Sequence, residues 1–503
     1  MFDQIHMRTI DLKYLPIIAV GFPLVFLVLN AIYQLYFSSL SKVPGPWYCA
    51  ISRFWLAKVS LQGRRIFAVH ELHLKYGPYV RIAPNEVSVS DIDSVKQIHS
   101  SHNNFSKPLW YADVANGVKS AFAIVDCEAH KARRKAYGTV YSNTNMSLLE
   151  PVIRKHISVC VGKIKRDLNH GPVDILRWFR FMAADIVAEL CYGKDMDMLN
   201  KEAVNPIVED LTILLTIGGI RAEIPGLNVL ESLISLIPHP TIKFITGCSK
   251  RIFDYSDDVL SEFQEKIKED RDNSLGPFLF TKLINNMNNL NEKYRLNFDE
   301  IRHESTANLI AGSDTISTTG TYIIWAILKH PNVRKKLEDE LKTLAGEITD
   351  AKLQQLPYLK LVTKEALRLY GAGPGGMPRI VPPGGWRLGP YYFSGGTGVS
   401  SQGYTQHREA AVFEDPYAFR PERWLNPTKE MEAHMVPWGG ASRTCPGQNL
   451  AMIELRLIAA LFLKECPDSV LAESCTDESM EFINYFNIKP SRNKCEVRKR
   501  IAW

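Results

Sequence analysis

Residues 437–456 read PWGGASRTCPGQNLAMIELR. Cys445 is followed by Pro446 and Gly447, then by an amphipathic run that predicts a helix from about Gln448 to Lys464. A thiol just ahead of a helix start faces free N–H groups and the positive end of the helix dipole, and both favour the thiolate. Gly439 and Gly440 carry no Cβ, so the loop can run close to a flat ligand. A lone cysteine is ordinarily a small buried hydrophobe. The loop around this one reverses that expectation. A thiolate so placed suits the axial position of haem iron, and Arg443, just upstream, can reach a haem propionate.

Upstream, residues 297–330 read NFDEIRHESTANLIAGSDTISTTGTYIIWAILKH and predict one long helix. Asn297 and Glu300 have capping-box spacing, and Pro331 ends the run. At 1.5 Å per residue it is about 50 Å long and passes through the core. Its centre, Ala311-Gly312-Ser313-Asp314-Thr315, sets glycine, an acid and a hydroxyl where a core helix favours Leu or Ala. Gly costs ~1 kcal/mol there, and an unpaired buried carboxylate costs several more. Two readings stand side by side. One is a kinked helix with Thr bonded to the carbonyl four residues back. The other is a backbone opened beside a ligand, with an acid and an alcohol relaying protons.

The whole chain frames these two segments. It has 503 residues, 46% of them hydrophobic and 23% charged, which is a globular profile. Its 60 basic and 54 acidic residues leave a net +6, scattered rather than blocked, which argues against a nucleic-acid platform. The nine cysteines are odd in number and form no C-x-x-C pair, which argues against a disulfide framework and a structural zinc site. A reducing compartment follows for the bulk of the chain.

Residues 14–41 contain no charge, enough to span a bilayer core that takes about 20 helical residues. A transmembrane anchor is predicted there, with a cleaved signal peptide as the alternative. Lys42, Arg53, Lys58, Arg64 and Arg65 follow it before any acid, which puts the C-terminal part in the cytosol. The predicted organisation is a tail over 1–13, the anchor over 14–41, a stiff Pro/Gly linker over 42–60 that starts at Val43-Pro44-Gly45-Pro46-Trp47, and one domain over 61–503. That domain is mainly α, with a small β-rich part from strands at 79–82, 86–89 and between 378 and 400.

On these residues the chain resembles a membrane-anchored cytochrome P-450, and the likeness covers nearly all of it. The family's cysteine loop has the form F-x-x-G-x-R-x-C-x-G. Here Trp438, Ala441, Arg443, Cys445 and Gly447 stand at the five signature positions, so the first and second depart from it. Glu365-Ala366-Leu367-Arg368 matches the family's E-x-x-R, and Pro421-Glu422-Arg423-Trp424 its P-E-R-F. The resemblance implies a structural triad of Glu365, Arg368 and Arg423. His130 and Arg134 resemble the family's W-x-x-x-R, with Arg134 on the propionate-binding position, and Met377-Pro378-Arg379 resembles the strand whose Arg binds a propionate.

The resemblance further implies haem b held by Cys445, with Arg443, Arg134, His130, Arg379, Gly312 and Trp438 around it. Asp314 and Thr315 are implied as the acid and alcohol that deliver protons for oxygen cleavage. Phe122, Ile124, Ala311 and Phe486 are implied to line the substrate pocket, together with the stretch from Leu211 to Ile220. The activity implied is insertion of one oxygen atom from O2 into a lipophilic molecule. No flavin fingerprint or iron–sulfur cysteine cluster is present, so electrons come from outside the chain; the resemblance implies NADPH through a membrane-bound reductase, with cytochrome b5 as a second donor. The basic run His130 to Lys135 can steer an acidic flavoprotein. The chain is similar to fungal secondary-metabolism members at the endoplasmic reticulum, which points to a polyketide or terpenoid substrate. The alternatives are a sterol or fatty-acid hydroxylase, a haem-thiolate isomerase or dehydratase, and a non-enzymatic haem sensor.

Overall fold

The computed structural model describes residues 15–224, 226–269, 278–288 and 295–500. The helix at Phe298–Lys329 runs through the middle of the domain. Its capping box forms in full: Glu300 N–H donates to Asn297 Oδ1 at 2.9 Å, and Asn297 N–H donates to Glu300 Oε2 at 2.9 Å. From Ile316 to Ile327 every residue is buried, because helices pack on it from several sides. They are Ile175–Tyr192, Gln448–Glu465 and Pro357–Tyr370. Gly320 lets the Gln448–Glu465 helix come close, since a Cβ there would stand 3.0 Å from the Ile458 side chain. Pro331 starts the next helix and prevents continuation.

The small β part is a four-stranded sheet in the order Tyr79–Ala83, Glu86–Val89, Gly398–Gln402, Gly376–Ile380. Glu86–Val89 runs parallel to Gly398–Gln402, and the other pairs are antiparallel. The Gly/Pro-rich stretch between 378 and 400 thus supplies two sheet strands, with a hairpin of Trp386–Leu388 and Tyr391–Phe393 between them. Further short strands near the C-terminus, at Ser469–Leu471, Phe482–Asn484, Ile488–Pro490 and Glu496–Lys499, carry no alternation long enough to predict them.

The predicted linker over 42–60 needs correction. Helices Trp47–Ile51 and Phe54–Leu61 occupy it, and Leu56 and Val59 pack with Val80 and Ile82 of the sheet. The stretch is therefore integral to the domain. Gly45 fits because the chain lies on the sheet there: a Cβ would meet the Arg81 carbonyl oxygen at 2.6 Å.

Ahead of it, a helix at Leu15–Ile32 continues into a π-helical turn at Tyr33–Phe37. The expected tail over 1–13 lies outside the described residues, as does residue 14 of the expected anchor. Among the described residues no helix is long and apolar enough to cross a membrane. The described part is nonetheless apolar and exposed, with Phe22, Leu24, Phe26, Leu27 and Leu29 all more than half accessible. Buried Arg81 grips its end, donating from Nη1 to Gln34 O at 2.8 Å and from Nη2 to Gln34 Oε1 at 2.7 Å.

Candidate active site

The support under the site is a saturated ion-pair network. Glu365 and Arg368 lie one turn apart on the Pro357–Tyr370 helix, both fully buried. Arg368 donates to both Glu365 oxygens at 2.9 and 2.8 Å. Arg423 donates from Nε to Glu365 Oε1 at 2.9 Å, and Trp424 donates from Nε1 to Oε2 at 2.8 Å. Arg368 also binds the carbonyls of His407, Pro416 and Ala418 at 2.6, 2.6 and 3.1 Å. His407 extends the network toward the cysteine loop. Its Nδ1 donates to Arg368 O at 2.8 Å, and its Nε2 accepts the Val436 N–H at 3.0 Å. Only a neutral ring can do both. Burial, with Arg408 and Arg368 nearby, lowers its pKa to about 3.

The loop itself starts just after Val436. Its closure is the Cys445 N–H donating to Trp438 O at 2.8 Å. Gly439 takes φ +76°, where glycine carries no penalty. Ala441, in the place of the family's glycine, adopts the left-handed region itself at φ +49°. Gly440 does not relieve it, because Gly440 is extended and lies against His99, whose Cβ would be 3.2 Å from an added Cβ. The helix that follows begins at Gln448 with Gly447 as its cap and ends at Glu465.

Burial raises the pKa of the Cys445 thiol, while the Gly447 N–H at the helix start and Arg134 lower it. The helix start alone does not make the thiolate; a coordinated metal would, since it deprotonates its thiol ligand outright.

Around the loop stand Arg134, Arg379 and Arg443, none of them in an ion pair with a carboxylate among the described residues, with Lys107, His99 and His130 beside them. Arg443 sends Nη2 to Cys127 Sγ at 3.4 Å, while its buried Nη1 has no partner among the described residues. Arg379, on the sheet strand, donates to Tyr111 OH at 2.5 Å and to Pro378 O at 2.8 Å. Lys107 is buried and donates to the carbonyls of Ala121 and Phe122 at 2.8 and 2.6 Å. Burial first, then Arg443 and Arg379, lowers the pKa of Lys107 to about 6. His130 falls to about 3 by burial and by Lys107, Arg443, Arg134 and Arg379. His99 falls to about 3 by burial, Arg379 and Arg443; its Nε2 bonds Ser401 Oγ at 2.8 Å and its Nδ1 is unpartnered. His99, Cys127, His130, Arg379 and Arg443 line one common cleft. Mutually repelling guanidiniums in a partly buried place favour an anion beside them.

The family model for cytochrome P-450 matches residues 42–497. The chain belongs to the cytochrome P-450 family. It is 34% identical over 481 residues to cytochrome P-450 monooxygenase tazI of Aspergillus terreus, covering 94% of this chain and 96% of that one. It is 34% identical to monooxygenase stcB of Emericella nidulans, over 91% and 88% of the two chains, and 33% identical to aflV of Aspergillus parasiticus, over 94% and 93%. The protein is an oxygen-incorporating oxidoreductase of the haem b class, and the general arrangement for such enzymes supplies electrons from NADPH through a reductase. The residues present fit that cofactor. The orphaned Arg443 Nη1 and the unpaired cations beside it suit two propionates, and Cys445 is the thiol that would hold the iron. Bound there, the haem supplies the oxygen-activating chemistry.

Thr315 Oγ1 donates to Ala311 O at 2.7 Å, the back-bonded arrangement, which leaves its oxygen lone pairs to accept a proton donor. Burial pushes the Asp314 carboxyl up, and Arg180 and Lys489 pull it back. At Gly312, expected beside the cofactor, a Cβ would stand 2.6 Å from Val187 Cγ2, so this glycine also admits the Ile175–Tyr192 helix. Ala311 beside it is exposed on an otherwise inward face.

Phe122 and Phe486 meet edge to face at 5.6 Å, Phe122 meets Tyr111 at 5.2 Å, and Trp110 lies 6.2 Å from Phe486. Ile124 is half-buried behind them. Gly219 admits the Pro206–Arg221 helix onto this group, since a Cβ would meet the Tyr485 carbonyl oxygen at 2.7 Å. Lys107, His99, Tyr111, Cys127, Arg180 and Lys489 escape sequence reading, because no local spacing marks them.

Proposed function

We propose that this monooxygenase acts on a lipophilic, ring-containing intermediate of secondary metabolism, a polyketide or a terpenoid. The observation that carries this reading is the aromatic group Trp110, Tyr111, Phe122 and Phe486, whose rings meet edge to face or tilted. Such a wall offers apolar area and quadrupole contacts to a flat or fused ring system. Lys107 and Arg379 belong to the group assigned above to the haem propionates, which leaves them unavailable to a charged head group and so speaks against a fatty acid.

Asp314 and Thr315 act as the proton relay. Arg180 and Lys489 lie near Asp314 and connect it electrostatically toward the surface, where Arg180 binds Asn493 at 2.8 Å. An isomerase that consumes no dioxygen needs no such pair. The exposed apolar helix ahead of the domain acts as a membrane tether at the endoplasmic reticulum, held to the sheet by Arg81. The electron donor is a membrane-bound NADPH reductase, with cytochrome b5 as an auxiliary.

The test is microsomal expression with reductase and optical titration against aromatic polyketides, terpenoids, sterols and fatty acids. A low-spin to high-spin shift with an aromatic or fused-ring ligand, weakened by Phe486→Ala, is the expected result. A shift with fatty acids alone overturns the substrate reading.

A further inference from the structure

Two thiols far from the cysteine loop lie side by side. Cys475 Sγ and Cys495 Sγ are 3.7 Å apart. Their backbones are held in a fixed frame. Cys475 sits in the turn after strand Ser469–Leu471, its N–H bonded to Ala472 O at 2.9 Å. Cys495 enters strand Glu496–Lys499, its N–H bonded to Asp174 Oδ1 at 2.9 Å. The Ala472 N–H donates to Glu496 O at 3.0 Å and ties the two segments together.

The pair is asymmetric. Cys495 is wholly buried, whereas Cys475 is half-buried between exposed Ser474 and Thr476. The Cys495 thiol and the Glu496 N–H hold the Cys475 thiol below its ordinary value, against the opposing effect of burial. Burial pushes Cys49, Cys160, Cys191 and Cys466 up instead. An accessible, more acidic thiol beside a buried partner is the arrangement of a redox-responsive dithiol.

We propose that Cys475 and Cys495 form a peroxide-responsive pair that closes to a disulfide. The Cys475 thiolate attacks hydrogen peroxide; an S–O bond forms, the O–O bond breaks, and hydroxide leaves and is protonated to water. The Cys475 sulfur is oxidised by two electrons and the peroxide is reduced. The Cys495 sulfur then attacks the sulfenic sulfur of Cys475. An S–S bond forms, the S–O bond breaks, and the second water carries away the Cys495 proton. The sulfurs close from 3.7 Å to the ~2.05 Å of a disulfide. A bond made only under peroxide is compatible with a reducing compartment.

The segment between the two cysteines holds the hairpin Phe482–Asn484 and Ile488–Pro490, with Phe486 at its turn. Closure therefore restrains the element that carries Phe486 against Phe122 and Trp110. This consequence rests on the pocket reading above, whereas the cross-link does not.

The experiment treats the reduced full-length holoenzyme with a few equivalents of hydrogen peroxide, alkylates the free thiols, and maps the peptides by mass spectrometry. A Cys475–Cys495 cross-linked peptide, reversed by dithiothreitol, is expected in the native chain. In Cys495→Ser, a dimedone adduct on Cys475 is expected. Full alkylation of both cysteines after peroxide, or irreversible oxidation of Cys475 with no cross-link, overturns the proposal. Slower amide exchange across 482–490 in the oxidised form is expected, and unchanged exchange there overturns the coupling to Phe486 while leaving the cross-link result to stand.

Discussion

Two charged regions flank the cysteine loop, and they are built in opposite ways. At Glu365 the donors and acceptors are matched: one carboxylate meets Arg368, Arg423 and Trp424, and Arg368 spends its remaining donors on carbonyls. At the other side, Lys107, Arg134, Arg379 and Arg443 gather with no ion pair to a carboxylate among the described residues, and a buried guanidinium nitrogen is left unpartnered. The first region has its ion pairs and hydrogen bonds formed as the chain folds. The second becomes complete only with an anionic partner. The difference separates what holds the fold from what holds the cofactor, although both consist of arginines near one loop.

The largest effect should come from breaking the complete region. Glu365→Ala leaves two buried guanidiniums without their carboxylate, and breaking such a pair costs about 3–5 kcal/mol. Chemical denaturation followed by fluorescence should show little or no folded protein. A stable Glu365→Ala fold would dissolve the distinction drawn here.

Next comes the incomplete region, where the sign should invert. Arg443→Gln removes one of several repelling cations, so the haem-free chain should melt no lower than the native one. The haem-loaded enzyme should lose its cofactor roughly tenfold to a hundredfold faster, since a charge-assisted hydrogen bond contributes about 1.5–3 kcal/mol. Parallel melting curves of the two forms, with haem transfer to a scavenger, make the measurement. Equal destabilisation of both forms would make Arg443 a structural residue like Arg368.

The two regions also differ in how far the sequence reveals them. Cys445, Arg443, Glu365, Arg368 and Arg423 sit in short segments whose spacing carries meaning, and the central helix announces itself through Asn297, Glu300 and Pro331. Lys107 does not. It occupies an ordinary Ser-Lys-Pro stretch and becomes part of the site only because the fold lays it between Ala121, Phe122 and the sheet arginine Arg379. Gly312 holds a second demand that local pattern does not show: its missing Cβ makes room for Val187, a neighbour far away in sequence. The stretch at 42–60 reads as a linker from its prolines, yet Leu56 and Val59 find a core that local pattern does not show. Gly440 is extended and packs against His99, so the left-handed turn falls to Ala441.

A pH titration sharpens the link between network and loop. The folded-state pKa of His407 is about 3, below its ordinary 6.5. A depressed histidine pKa means that stability is fully present above pH 6.5 and is lost as pH falls from 6.5 toward 3. The loss is about 1.4 kcal/mol per pH unit, or about 2 kcal/mol by pH 5. His407→Gln should be less stable at neutral pH, because the bonds to Arg368 O and Val436 N–H are altered. Its acid limb should be shallower by one proton. An unchanged slope in that variant would mean that other groups carry the acid sensitivity.

The smallest effect is the most local. Ala441 holds φ +49°, a region that costs a residue with a Cβ about 1–2 kcal/mol. Glycine would remove that strain but add about 0.4–1 kcal/mol of unfolded-chain freedom. The net gain for Ala441→Gly should be roughly 0.5–1 kcal/mol. Ala441 is exposed, so the substitution opens no cavity and the backbone term is isolated. Because the loop closes through the Cys445 N–H to Trp438 O, the gain should appear as slower haem release with unchanged spectra. A loss of stability would mean that the alanine methyl contributes packing that outweighs its strained backbone, and the departure from the family's glycine would then be an adaptation of this loop rather than a tolerated cost.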